Sequence, residues 1–292
     1  MLHQQDFDSL LGSSLFDEGN RRRTFIQTAI GAGFAAATLP ICAQTVVKTD
    51  TSGLTAGVIM LEVNGQQVPV YRAQPEGKTN LPIVLVVSEI FGVHEHIADV
   101  ARRFAKQGYL ALAPELFVRQ GDASKYANMA ELMKEVISKV PDAQVMQDLD
   151  ATVAWAKTNG GNIDKLAITG FCWGGRITWL YAAHNPQVKT GAAWYGRLTG
   201  TPSPLAPQNP LDIATSIKAP ILGLYGAKDG GISLESVTQM KDALGKGKSG
   251  SELMVYANSG HAFHADYRPS YVEADAKEAW QRCLAWFKTH LA

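Results

Sequence analysis

The sequence lacks an excess of charge of either sign. Its 292 residues include 27 Lys and Arg residues and 27 Asp and Glu residues, so the formal net charge is zero. Proteins that bind nucleic acid or an anionic membrane through electrostatic attraction carry an excess of basic residues, often on one face. We therefore expect no nucleic-acid partner, and a small, soluble molecule fits the balanced composition better.

Cysteine is also scarce. There are three cysteines, Cys42, Cys172 and Cys283, and Cys283 lies among apolar residues of a predicted C-terminal helix. Small secreted proteins that depend on disulfides carry several cysteine pairs, so this count excludes a disulfide framework. Cys283 is most simply a small core residue, which leaves the role of Cys172 to be explained.

Long apolar runs are missing as well. The most suggestive stretch, 30–40, is short and glycine-rich, so we expect no stable membrane anchor. It follows Arg22 and Arg23, and the order of arginines, apolar stretch and small residues is typical of a twin-arginine signal peptide, although a basic patch before an amphipathic helix is the alternative. We predict a signal peptide over 1–43, cleaved after Ala43, and export by the twin-arginine machinery to the periplasm or outside the cell.

The remaining residues, 44–292, have the length of one α/β domain. Two apolar segments flank Asn64 and Gly65, which is a strong hairpin signal. Further strands, alternating with helical stretches, are predicted near 82–88, 109–113, 165–170, 190–195, 220–226 and 252–256. This alternation predicts an α/β fold with a mostly parallel central sheet and helices on both faces.

The segment 170–175, Gly-Phe-Cys-Trp-Gly-Gly, follows a predicted strand and precedes a helix. In a nucleophile elbow, glycines two residues before and after the nucleophile make room for a strained turn, and here Gly170 and Gly174 flank Cys172. The positive end of the helix dipole would favour a thiolate at this position. A buried structural cysteine in a tight turn is the alternative.

Two further side chains follow predicted strands, and both strands are parallel members of the same predicted sheet. Asp229 follows the strand at 220–226, and His261 follows the strand at 252–256. The order nucleophile, acid, histidine is one of those known for catalytic triads. In such triads the acid orients the imidazole, and the imidazole accepts and donates protons. Either loop alone could be an ordinary turn, but all three together indicate a catalytic site.

His264 stands three residues after His261, a spacing that zinc sites also use. No cysteine or carboxylate at ligand spacing accompanies the pair, and Asp266 does not supply one. We predict that the protein uses no metal and no cofactor, and that His264 lies on the surface or behind His261.

Glu89 follows the most apolar strand of the chain, where a carboxylate is costly unless it is paired or used. We interpret it as a site residue, with capping of the next helix as the alternative. The same turn could supply one donor of an oxyanion hole, the backbone N–H of Ile90, while Trp173 supplies the other.

Together, the motifs around Glu89, Cys172, Asp229 and His261 resemble those of the dienelactone hydrolase family, a branch of the α/β-hydrolases with a cysteine nucleophile. The segment 194–196, Trp-Tyr-Gly, also matches. The resemblance implies an α/β-hydrolase fold, a Cys172, Asp229, His261 triad, and a Glu89 that holds or deprotonates the thiol. The implied reaction is hydrolysis of a lactone or activated ester, of the carboxymethylenebutenolidase type.

The chain departs from the family where a basic residue would bind a substrate carboxylate. Arg268 could substitute for it, although a guanidinium grips a carboxylate with two bonds only when its fork is placed correctly. Tyr195, Arg197 and Phe263, with Trp173, are further candidates for lining the substrate pocket, and packing is the alternative for each. The proline-rich segment 201–210 could cover the site or merely connect two elements.

Two other functions remain open at this point. The same cysteine could transfer an acyl group or cleave a thioester, or the chain could be a binding protein on a hydrolase scaffold. A complete triad argues against the second of these.

Overall fold

The computed structural model describes residues 46–292, which form one sheet covered by helices. The predicted signal peptide, the cleavage point after Ala43 and Cys42 lie outside the described residues. The eight strands are β1 (Leu54–Val63), β2 (Gln66–Pro75), β3 (Leu81–Val87), β4 (Leu110–Pro114), β5 (Gly161–Phe171), β6 (Val188–Trp194), β7 (Ile221–Gly226) and β8 (Glu252–Tyr256).

The sheet has the order β1-β2-β4-β3-β5-β6-β7-β8. β1 and β2 form the predicted antiparallel hairpin, and its two turn residues, Asn64 and Gly65, have φ of 53° and 78°. This is the conformation for which Asn-Gly is preferred in two-residue turns. β2 also pairs antiparallel with β4, and all the pairs from β4 to β8 are parallel, so the predicted mostly parallel sheet is confirmed.

Helices cover both faces of this sheet. The chain steps from β3 to β4 in one direction and then to β5 and onward in the other, so right-handed crossovers place the connecting helices on opposite faces. The helices in the described part are α1 (Glu95–Lys106), α2 (Met129–Glu135), α3 (Asp142–Thr158), α4 (Trp173–His184), α5 (Pro210–Ile213), α6 (Leu234–Gly245) and α7 (Glu273–His290). α7 shares the face of α1, where Phe104 packs on Trp280 and Phe287 at ring separations of 4.6 and 5.9 Å.

The central strand β3 shows why the sequence folds this way. Residues Ile83 to Val87 are all fully buried, without the alternation of a half-exposed strand. A strand covered on both faces needs such a continuous apolar run. Burying each Val, Leu or Ile side chain contributes about 1.5–3 kcal/mol before the cost of ordering the chain.

Within residues 46–292, no helix has the length and apolar character that a membrane crossing requires. The parallel strands instead point their carboxyl ends to one edge of the sheet. The loops that leave β3, β5, β7 and β8 at this edge carry Glu89, Cys172, Asp229 and His261. The strand order therefore brings four distant parts of the sequence together.

Candidate active site

Cys172 occupies a strained turn between β5 and α4. Its backbone has φ 56° and ψ −114°, a conformation that L-residues rarely adopt. The Cys172 N–H donates to the carbonyl oxygen of Trp194 at 2.9 Å, while the Cys172 carbonyl accepts from Gly175 and Arg176 in the first turn of α4. The surrounding bonds therefore hold the strain in place, as is typical of functional sites.

The glycines of this turn are required by close backbone approach. A Cβ on Gly170 would collide with the carbonyl of Gly174, and a Cβ on Gly174 would collide with the Val87 carbonyl and lie 2.6 Å from the Ser88 carbonyl oxygen. The first turn of α4 thus packs directly against the end of β3. Because β3 leads into Glu89, the same contact fixes the spacing between the two loops.

His261 and Asp229 form a buried hydrogen-bonded pair. The imidazole Nδ1 lies 2.7 Å from Asp229 Oδ2, and Oδ1 of the same carboxylate accepts from the backbone N–H groups of Gly231 and Ile232 at 2.9 and 3.1 Å. These two donors fix the carboxylate in one orientation. The carboxylate in turn fixes the ring of His261 and leaves its buried Nε2 free to face Cys172.

The pKa of His261 reports its surroundings. Burial disfavours the imidazolium, but the negative charges of Cys172 and Asp229 and their hydrogen bonds outweigh burial and raise the pKa of His261 to about 10. Cys172 and Asp229 therefore both favour the imidazolium form of His261 over the neutral ring. Cys172 is therefore electrostatically coupled to the Asp229–His261 pair, although the three residues follow three different strands.

Glu89 is 1% exposed and has its own set of partners. The Tyr267 hydroxyl donates to Glu89 Oε2 at 2.8 Å, and Arg268 Nη1 lies 3.8 Å from Oε1. Burial raises the pKa of Glu89, but Arg268, two nearby histidines and the Tyr267 hydroxyl outweigh it, so the net shift is downward. Glu89 is therefore held as a carboxylate inside the protein.

Two more residues of this region have positive φ. Tyr195, directly after β6, has φ 38°, and Ala262, directly after His261, has φ 59°. The Tyr195 ring packs edge-on against His261 at 5.2 Å between centroids. Burial, with the charges of Glu89 and Cys172, raises the pKa of Tyr195 well above its usual value, so its hydroxyl stays protonated. Backbone strain is thus concentrated where Cys172, Tyr195 and His261 meet.

Two backbone N–H groups at this edge are unused. Within the described part of the chain, neither the Ile90 nor the Trp173 N–H donates a hydrogen bond. Both residues line the cavity that also contains Cys172. An unused N–H at the start of a helix and a second one lining the same cavity are suited to an oxyanion.

A cavity of about 600 Å³ opens above Cys172 and His261. Of the residues predicted to line a pocket, Trp173, Tyr195 and Arg197 do so. Most of the remaining lining comes from α2, the segment after it and the proline-rich segment 201–210, and Arg176, Gly231 and Ile232 complete it. The proline-rich segment therefore covers part of the cavity rather than only connecting two elements.

Two of the expected pocket residues lie elsewhere. Phe263 is fully buried in an aromatic cluster with Trp194, Tyr195 and Tyr256, and it does not line the cavity. Arg268 lies behind the cavity, beside Glu89, with its guanidinium 5.5 Å from the Phe91 ring centroid. The loop after His261 turns inward, so both side chains are buried.

His264 also departs from part of its expectation. It is 3% exposed and stacks on Phe171 and Trp280, so it is not a surface residue. Burial lowers the pKa of His264 well below its usual value, and the Arg103 charge adds to this. Across residues 46–292, no three His, Cys, Asp or Glu side chains are grouped so that they could hold a metal ion.

Sequence reasoning missed Tyr267, which makes the shortest contact to Glu89. In the sequence, the stretch 264–268 draws attention only through its arginine. A tyrosine next to that arginine, in the loop that contains His261, was the available signal. Sequence reasoning also missed the cavity wall contributed by α2, because nothing in that segment marks proximity to Cys172.

The strained elbow after β5 and the acid–histidine pair after β7 and β8, on an eight-stranded mostly parallel sheet, define an α/β-hydrolase-type fold. The sequence model of the Dienelactone hydrolase family matches residues 68–291. The chain belongs to the dienelactone hydrolase family.

Named relatives agree with this assignment. The chain is 53% identical over 285 residues to a "Putative carboxymethylenebutenolidase" of Methylorubrum extorquens, covering 97% of this chain and 98% of the relative. It is 52% identical over 260 residues to a protein of the same name from Escherichia coli, covering 89% and 96%. A crystal structure titled "Putative Dienelactone Hydrolase" from Klebsiella pneumoniae superposes with a TM-score of 0.79 at 54% identity, covering 80% of this chain and 98% of that one.

Proposed function

We propose that this protein hydrolyses a lactone or an activated ester through a Cys172 nucleophile, with His261 as the acid and base and Asp229 as the residue that orients it. The observation that carries the proposal is the convergence of these three side chains: a strained cysteine and a buried Asp229–His261 pair share one cavity, and the pKa of His261 responds to Cys172. The names of the relatives support a lactone as the substrate.

The first half of the reaction follows from this arrangement. The Cys172 thiolate attacks the carbonyl carbon, and the oxygen that becomes negative accepts hydrogen bonds from the N–H groups of Ile90 and Trp173. The carbon–oxygen bond of the ester then breaks. The leaving alkoxide takes the proton of the His261 imidazolium, and a thioester to Cys172 remains.

The second half returns the enzyme to its starting state. His261, now neutral, takes a proton from a water molecule, which attacks the thioester carbonyl. The acid product leaves, and Cys172 and the imidazolium are restored as a pair. Asp229 keeps Nδ1 protonated throughout, so that Nε2 serves both steps. Glu89, held as a carboxylate beside Tyr267 and Arg268, would accept a hydrogen bond from the Cys172 thiol whenever Cys172 is protonated.

Replacing the nucleophile tests the proposal. Cys172→Ala should lower kcat/KM for p-nitrophenyl acetate and for a five-membered lactone by about a thousandfold or more, because covalent catalysis is lost. Cys283→Ala is the matched control, since Cys283 is fully buried in α7 away from the cavity. Undiminished turnover by the Cys172 variant would remove this assignment.

Product analysis in the same assay separates hydrolysis from acyl transfer. With an added amine or thiol, a hydrolase should still release mainly the free acid. A predominantly transferred product would favour the acyltransferase alternative, and no turnover with any ester or lactone would favour a binding protein.

We also propose that the protein works in the periplasm after twin-arginine export. The arginine pair at 22 and 23, the apolar stretch 30–40 and the small residues before 44 support this proposal. The twin-arginine route carries folded proteins, so Cys172 would reach an oxidising compartment already enclosed in its cavity. Such enclosure matters because exposed thiolates are oxidised there.

A further inference from the structure

Glu115 is a largely buried acid that the proposed reaction does not use. It directly follows β4, at the same edge of the sheet as Glu89 and Cys172. Burial raises the pKa of Glu115, and across residues 46–292 no basic side chain pairs with its carboxylate. A carboxyl group is costly in such a place unless hydrogen bonds satisfy it. The contacts of Glu115 therefore need an explanation.

One carboxylate oxygen holds the turn that follows β3. Glu115 Oε2 accepts from the Val93 N–H at 2.8 Å. Gly92, with φ 73°, lies directly against the carboxylate, since a Cβ there would be 2.6 Å from Oε2. The Gly92 N–H donates to the Glu89 carbonyl at 3.4 Å and closes the tight turn that contains Ile90. Glu115 therefore fixes the end of the turn that carries the Ile90 N–H.

The other carboxylate oxygen holds Phe117. Glu115 Oε1 accepts from the Phe117 N–H at 3.4 Å, and the Phe117 ring is fully buried. That ring packs edge-on against the Trp173 ring at 4.9 Å between centroids. Trp173 begins α4 and carries the second candidate donor of the oxyanion hole. One carboxylate thus contacts the supports of both donors, although it does not itself line the cavity.

We propose that Glu115 is a positioning residue for the oxyanion hole, which sets the separation of the Ile90 and Trp173 N–H groups without touching the substrate. The inference rests on the proposed function, in which these two groups stabilise the oxyanion. Such donors must lie at hydrogen-bond distance from the place that the oxyanion will occupy, so a small displacement of either one weakens catalysis. The role requires an acceptor of the right length, and it does not require a negative charge.

Three substitutions of Glu115 separate length from charge, with p-nitrophenyl acetate as substrate. Glu115→Gln keeps the length and one acceptor oxygen, so kcat should stay within about threefold of wild type. Glu115→Asp keeps the charge but is one methylene shorter, so kcat should fall about tenfold. Glu115→Ala removes both bonds and should lower kcat about a hundredfold, with KM nearly unchanged. A higher kcat for Glu115→Asp than for Glu115→Gln would overturn the proposal, and this comparison does not depend on the alanine variant folding.

A reaction at sulfur that forms no oxyanion gives a second readout. The Cys172 thiolate attacks one sulfur of dipyridyl disulfide, a mixed disulfide forms, and pyridine thiolate leaves. The rate due to Cys172 is the part that is lost in Cys172→Ala. Glu115→Asp and Glu115→Ala should keep this rate within about threefold of wild type, because thiol–disulfide exchange needs no oxyanion hole. A fall as large as that of kcat would indicate a general disturbance of the site and would contradict the assigned role.

Asn185→Ala is the matched control. Asn185 is 8% exposed and accepts from the Gln187 N–H at 2.9 Å, but its turn precedes β6, at the edge of the sheet away from Cys172. The kcat of this variant should stay within about threefold of wild type. A loss equal to that of Glu115→Ala would mean that removing any buried acceptor has this effect, which excludes a specific role for Glu115.

Cys172→Ala keeps the two proposals apart. If this variant is active, the proposed function fails. If it is inactive and all three Glu115 variants keep the kcat of wild type, only the role of Glu115 fails.

Discussion

The carboxylates of Glu89 and Asp229 are both buried, but they are held by different partners. Asp229 accepts two backbone N–H bonds and faces one imidazole, so its orientation is fixed by its own loop. Glu89 depends on Tyr267 and Arg268, which come from a loop nearly 180 residues further along the chain. Both partners of Glu89 therefore come from that second loop, whereas Asp229 also has two backbone donors in its own loop.

The raised pKa of His261 predicts a pH dependence of stability. A histidine whose pKa is about 10 in the folded state and about 6.5 in the unfolded state binds its proton more tightly when folded. Its contribution to the free energy of unfolding is complete below pH 6.5 and is lost as the pH rises through 10. The slope from one such group is at most about 1.4 kcal/mol per pH unit.

Asp229→Asn should reduce this slope, because it removes one of the charges that raise the pKa. Urea unfolding at pH 6.5, 8 and 9.5 measures it for wild type and variant. Asp150→Asn serves as the control, since Asp150 pairs with the exposed His184 at 2.8 Å and should leave the slope unchanged. Parallel pH profiles for wild type and Asp229→Asn would disprove the stated cause.

At the level of elements, the contact between β3 and α4 determines the geometry of the elbow. Gly174→Ala would drive a methyl group into the carbonyls at the end of β3. Neither strand nor helix can move without disturbing the fully buried core around Val87. We expect a loss of about 3 kcal/mol or more in the free energy of unfolding, the size seen for severe overpacking.

Gly245→Ala is the control for this element. Gly245 ends α6, has no atom within 4 Å of the added Cβ and does not have positive φ. Alanine there should stabilise the protein by up to about 1 kcal/mol. Chemical denaturation of both variants measures the two free energies of unfolding. A Gly174→Ala variant as stable as wild type would show that the elbow accommodates a methyl group for which the structure leaves no space.

The sequence was sufficient to predict the strands and the edge at which the site residues lie. Each of the strands predicted from 82–88 onward is present. Short, continuous apolar runs bounded by turn residues are typical of buried strands, so these segments were recognisable in the sequence. Parallel strands then force the loops after them to one edge. For that reason the amino-acid sequence alone groups Glu89, Cys172, Asp229 and His261.

The directions of side chains in loops could not be predicted in the same way. Phe263, His264 and Arg268 all lie in 261–268, and all three are buried. This loop contains Ala262, which has positive φ. Because the residue is not a glycine, the sequence does not indicate this conformation. Such a turn reverses which side chains face the cavity, and loop residues lack the periodicity that identifies a buried face.

For the molecule as a whole, the proposed export depends on residues that precede the described fold. Changing both Arg22 and Arg23 to Lys should keep the protein in the cytoplasm, because the twin-arginine machinery recognises the arginine pair. Arg21→Lys is the matched control and should leave export intact. Immunoblots of periplasmic and cytoplasmic fractions measure the outcome, and periplasmic accumulation of the double variant would contradict the assigned signal.

The two thiols of the described residues differ in a way that has a practical consequence. Cys283 is fully buried, and burial raises the pKa of its thiol far above the usual range. Cys172 lines the open cavity. A chain cleaved after Ala43 carries no other cysteine. With Cys172 as the proposed nucleophile, stoichiometric alkylation of native, cleaved protein by iodoacetamide would count competent active sites directly, without any cysteine having to be removed.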